Sequence, residues 1–144
     1  MAVTAGQIFP GYPHLQVEGN KSAAAWAAGD ALYTASNAWL KTPTTATTAP
    51  FGVAAKAQAS GDAKGAVILQ GVVAMTAGAT IGVHKLVQSD TTTAGRVMAW
   101  AGTIGEACIG LYLGKPTEMD GKTVQTSLLA AEVGWILLMP GGGG

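Results

Sequence analysis

The sequence predicts an all-β protein, a small β-barrel of short antiparallel strands preceded by an extended N-terminal arm. Three observations predict it. From Phe51 to Leu113 the chain alternates short apolar runs with clusters of glycine, aspartate, serine and threonine, the pattern of consecutive strands and tight turns. Hydrophobic residues make up 49% of the chain but aromatics only 6%, so the apolar content is mostly alanine and valine, which suits close sheet packing better than a large ligand cavity. Glycine, threonine or charge interrupts every apolar run before it reaches the length of a helical membrane span.

At 144 residues the chain has material for one core. The expected division is an arm over residues 1–25, a barrel over 26–140 and a flexible glycine tail over 141–144. Lys and Arg number 8 and Asp and Glu number 8, so the formal charge is zero and nothing attracts nucleic acid electrostatically. Charged residues are only 11%, a weakly charged surface that favours association with copies of itself or with a partner. Cys108 is the single cysteine, read as a small buried residue, and no intramolecular disulfide can form. Met1-Ala2-Val3-Thr4 lacks the basic start and apolar core of an export signal, so synthesis in the cytoplasm is expected.

Taken in order, residues 1–20 hold two prolines and three glycines among scattered large apolars, which supports neither a helix nor a central strand. This arm carries Val3, Ile8, Phe9, Tyr12, Leu15 and Val17, which are costly to leave in water, so it lies on its own barrel or on a neighbour. Those residues are the candidate binding set. His14, between Pro13 and Leu15, reads as a surface or packing histidine. Ser22 to Gly29 fits a helical turn or two, capped by the serine and stopped by the glycine, or a short strand. Ala31 to Leu40 reads as a hairpin, and the proline-bracketed threonine tract 42–50 as an exposed loop.

Beyond it, strands are expected at 51–57, 66–75, 81–88, 96–101, 107–113, 123–129 and 134–139, with turns at Gly61-Asp62, Ala77-Gly78, Ser89 to Gly95 and Asp120-Gly121. Pro116 ends one strand, and Trp135 anchors the last. The chain also echoes itself: Ala27-to-Leu40 resembles Thr76-to-Ser89, and Phe51-to-Ala57 resembles Ile109-to-Lys115, either an old duplication or chance similarity between alanine-glycine-rich segments.

No constellation for catalysis stands out, and no cofactor or metal is expected. The titratable candidates His84, Lys85, Asp90, Glu106 and Cys108 fall in no spacing that a known reaction demands. His84 and Lys85 adjoin on an expected strand and so point to opposite faces. Gly61 to Gly65 and Gly102 to Gly105 lack the lysine-serine or lysine-threonine ending of a phosphate loop and read as turns. Lys85 in Val83-His84-Lys85-Leu86 loosely resembles the lysine of biotinyl and lipoyl carrier domains, although those lysines sit in a hairpin turn and Lys85 is expected mid-strand. A non-enzymatic scaffold is the expectation.

Together the arm, AGDALY, the threonine-proline loop, PFGVA, GAVILQGVV, TAGATIG and CIGLYLG resemble the head-decoration, or capsid cement, proteins of tailed bacteriophages, small barrels of the β-tulip type. The likeness covers roughly Ala27 to Leu138. It implies a homotrimer on the capsid exterior that binds the major capsid protein and staples neighbouring capsomers, with no nucleic-acid or membrane partner. The alternatives are another phage structural module, such as a tail, spike or fibre base, and a small carrier or ligand-binding barrel.

Overall fold

A computed structural model describes residues 2–45, 48, 50–102 and 108–139. Among them, ten strands form two antiparallel five-stranded sheets, each from a continuous half of the chain. The first sheet contains β1 (Leu15–Asn20), β2 (Ala31–Ala35), β3 (Ala38–Lys41), β4 (Gly52–Ala54) and β5 (Lys64–Gln70), in the order β1-β5-β4-β2-β3. The second contains β6 (Val72–Thr76), β7 (Leu86–Ser89), β8 (Val97–Ala99), β9 (Cys108–Gly114) and β10 (Val133–Leu138), in the order β6-β10-β9-β7-β8. The all-β expectation is met. The glycine tail 141–144, the loop Gly102 to Gly105 beyond its first residue, Glu106, and Ala46, Thr47 and Ala49 of the threonine tract lie outside the described residues.

The two orders are one topology used twice. In the first half the outer strands are joined by a parallel bridge from Lys21 to Trp39, and in the second by one from Ala77 to Val97, so each sheet nearly closes on itself. Antiparallel bridges from Trp26 to Gln58 and from Ile81 to Leu128 also correspond. Within the sheets Gly52 lies opposite Leu32 and Gly110 opposite Val87, so the echo of Phe51 on Ile109 is in register with the fold. The echo of Ala27 on Thr76 is not. The matching bridges at Trp26 and Ile81 make Gly82, not Thr76, the counterpart of Ala27.

Local chemistry explains most elements. Ser36 and Asn37 both have positive φ, 51° and 66°, as a two-residue hairpin turn between β2 and β3 demands. Gly71 does more. The single strand expected over 66–75 is instead β5 and β6, broken at Gly71 with φ 122°, where a side chain would be strained and would meet His14. The chain passes from one sheet to the other across this residue, so both faces of the run are apolar because it serves two sheets.

Three further expectations are corrected. The strand expected at 81–88 starts only at Leu86; residues 82–85 form a turn in which His84 takes φ 59°. His84 and Lys85 therefore do not sit on a strand. The strand expected at 123–129 is irregular chain touching the sheet through the bridge at Leu128, because Asp120 gathers the amides of Lys122 and Thr123 and Glu118 takes that of Thr126. Ser22 to Gly29 contains no helix, since the Trp26 amide and carbonyl are spent on Gln58.

The largest core cluster lies between the halves, combining Ala31, Val53 and Ile68 of the first with Val73, Met75, Ile109, Tyr112 and Ile136 of the second. Alternate residues of β2, β4 and β5, namely Leu32, Ala54 and Val67, turn to a second cluster around Trp26, with Val17 and Trp39 against it. Glycine makes room for these indoles: a Cβ at Gly65 would strike the Trp26 ring, and one at Gly19 would strike that of Trp39. A third cluster, Val72, Ala74 and Trp135, lies on the outer face of the second sheet.

Candidate functional site

The N-terminal residues lie on the protein's own sheets. Gly6 and Phe9 donate backbone hydrogen bonds to the carbonyls of Ala74 and Val72, and Ala74 donates to that of Gln7, so residues 6–9 line the outer edge of β6, antiparallel at Ile8 and Val73. Further on, β1 pairs with β5 from Gln16 opposite Ile68 to Asn20 opposite Lys64. The two stretches border both halves.

This placement divides the expected binding residues. Val3 and Phe9 pack on the outer cluster of the second sheet, Phe9 edge-on to Trp135 with ring centroids 5.0 Å apart. Ile8 packs on the main core and Val17 on the Trp26 cluster. Tyr12 and Leu15 remain 45% and 46% exposed. Tyr12 and Pro13 line a groove of about 460 Å³ with Gln70, Gly71, Leu137 and Leu138, and the next residue, Met139, is exposed as well. The result is an apolar margin where the chain crosses between sheets, the kind of surface that contacts another protein. Met139 is the member that sequence reading missed; its only signal was an apolar residue just before the glycine tail.

Of the titratable candidates, His84, Asp90 and Cys108 each have separate neighbours. His84 Nε2 lies 2.7 Å from Gln125 Oε1 at the surface. Asp90 is buried, and its Oδ2 accepts from Thr92 Oγ1 and the Thr93 amide. The Cys108 thiol donates to the Gly110 carbonyl, and burial pushes its pKa up, which disfavours the reactive thiolate. Burial likewise raises Asp30, despite the Ala27 amide and the nearby Lys41 and Arg96. Tyr112 donates to the Thr126 carbonyl; burial, with Glu118 and Glu132 nearby, pushes its phenol up to about 12. Asp120 is held down to about 2 by the Thr123 amide and hydroxyl and the Lys122 amide, a turn-forming role. Among the described residues no group of three His, Cys, Asp or Glu side chains is placed to hold a metal ion.

The fold and this margin define an all-β domain of two like sheets with an apolar border. No family model and no curated protein matches the sequence. The fold is shared with a chain from the solved capsid of Myoviridae phage XM1, at TM-score 0.67 and 15% identity, over 94% of this chain and 89% of that one. At that identity the likeness establishes a common fold.

Proposed function

We propose that this protein is a structural, non-enzymatic component of a tailed-phage virion that binds the capsid exterior and stabilises the capsomer lattice. The observation that carries the reading is the likeness to a chain of a phage capsid over nearly the whole of both chains. Physical features agree with it. The regular structure among the described residues is almost entirely sheet, the chain carries little charge, and Tyr12, Leu15 and Met139 are exposed beside a groove suited to a protein partner. The partner in this reading is the major capsid protein, and the protein acts as a homotrimer whose many weak contacts add up over one shell.

The test is to mix purified protein with empty, expanded shells of its own phage and count bound copies by electron cryomicroscopy. Hundreds of copies on the outer surface, together with shells that withstand a higher temperature, are the expected result. No binding, or a few copies at one vertex, would overturn the cement reading. Light scattering on the free protein checks the trimer. Tyr12→Ser with Leu15→Ser should weaken shell binding while leaving the fold intact, because both side chains are already half in water.

A further inference from the structure

The two halves share a topology, yet one edge that is covered in the second half is open in the first. The registers set the correspondence. Val17 pairs with Val67 as Val73 pairs with Ile136, so Gln16 stands where Val72 does and Glu18 where Ala74 does. In the second half, the outward backbone groups of Val72 and Ala74 bond to residues 6–9. In the first half, the Lys21 amide donates to the Ala63 carbonyl beyond β5, so antiparallel alternation turns Gln16, Glu18 and Asn20 outward. Asn20 is met there by Trp39 of β3 at the parallel bridge, but among the described residues no backbone partner meets Gln16 and Glu18 on that side, and both are exposed. The N-terminal segment that could serve is already committed to β6.

The side chains show the same vacancy. Trp135, opposite Ala74, fills the outer face of the second half and receives Phe9. Its counterpart opposite Glu18 is Ala66. With alanine there, a groove of about 420 Å³ opens, lined by Gln16, Val17, Glu18, Ala55, Lys56 and Ala66. An open strand edge and a missing ring thus adjoin.

We propose that the outer edge of β1 and the groove over Ala66 form an acceptor site for an extended segment of a different protein. That segment pairs antiparallel with Gln16 to Glu18 and places an aromatic side chain over Ala66, as residues 6–9 pair with Val72 to Ala74 of β6. Charge argues against a second copy as the occupant. Two β1 strands paired about a twofold axis would crowd Glu18 of each copy, with the Lys64 that lies 3.6 Å from it, onto one short stretch of sheet, and a charged edge of this kind discourages self-pairing. The inference rests on the fold and not on the capsid reading.

The probe is a synthetic peptide of residues 3–11, the sequence that fills the corresponding edge. Added at millimolar concentration to the full-length protein, it should slow amide hydrogen exchange at Glu18, the counterpart of the Ala74 amide. Binding should weaken about tenfold when the peptide carries Phe9→Ala, and by as much when the protein carries Ala66→Trp, which fills the groove. The peptide variant keeps the test independent of any folding defect in the protein. Three results would overturn the proposal: no slowing at Glu18; slowing that ignores both substitutions; or protection at Glu18 without peptide that grows with protein concentration alongside a doubled mass, which would assign the edge to a second copy.

Discussion

Phe9→Ala removes the ring that ties the N-terminal segment to the second sheet. Phe9 is half-buried and meets Trp135 edge-on at 5.0 Å, with its amide bonded to Val72. A fully buried phenylalanine costs about 3–5 kcal/mol to truncate; half the burial scales this to about 2 kcal/mol, including the edge-to-face term. With an m-value of about 2 kcal/mol/M in urea, the midpoint should fall by about 1 M at unchanged slope. Equilibrium unfolding followed by far-ultraviolet circular dichroism measures this, and amide exchange at Ala74 should quicken. A loss below about 0.5 kcal/mol, the range of ordinary surface substitutions, would refute the docked segment and leave a free arm instead.

Three other perturbations separate packing from exposure. Gly65→Ala should cost about 1–3 kcal/mol by driving a methyl into the Trp26 ring, whereas Gly61→Ala, with open space around it, should be nearly neutral; thermal melts of the pair decide this. Removing residues 2–12 should leave a folded but less stable protein, and extending the cut through Asn20 should abolish folding, because β1 and its ladder on β5 are then lost; one-dimensional proton NMR distinguishes the two. Tyr112 should ionise only near pH 12 by absorbance at 295 nm. Its folded pKa lies above the unfolded value of about 10, so its contribution is intact below pH 10 and is lost as pH rises from there to 12.

The sequence made the class of fold legible because turns announce themselves locally. Asn37, Asp62 and Asp120 mark reversals through their own backbone chemistry, and the apolar runs between them have strand length. The strand break at Gly71 was not legible. A run apolar on both faces looks like one covered strand, and only the partners of its two parts, β1 for one and β10 for the other, show that it changes sheet. Residues 123–129 misled for the opposite reason. Their threonines and valine favour strands, but Asp120 and Glu118 claim nearby amides first.

The candidate site was half legible. Composition flagged the first twenty residues as too apolar for a linker, and Val3, Ile8, Phe9 and Val17 are indeed packed, against the protein itself. Which residues stay exposed depended on which edge the chain meets. The echo at Phe51 was in register because Gly52 and Gly110 both sit at a close crossing, where Cβ atoms would meet Val67 and the Leu137 carbonyl. The echo at Ala27 slipped because alanine-glycine pairs match at many offsets, and the bridges that fix the alignment are invisible in sequence.

The pairing of residues 6–9 with Val72 to Ala74 has a consequence for how the molecule is made. A ribosome adding roughly 5–20 residues per second delivers Gly6 seconds before the strand it will rest on, and that strand lacks its other neighbour until Val133 to Leu138 arrive. Residues 6–9 are therefore among the last to find their place. Until they do, Val72 and Ala74 present an uncovered strand to any nascent neighbour, so residues 6–9, translated well before the strand they cover, act as the final latch, and their timing sets how long the newborn protein is open to mispairing.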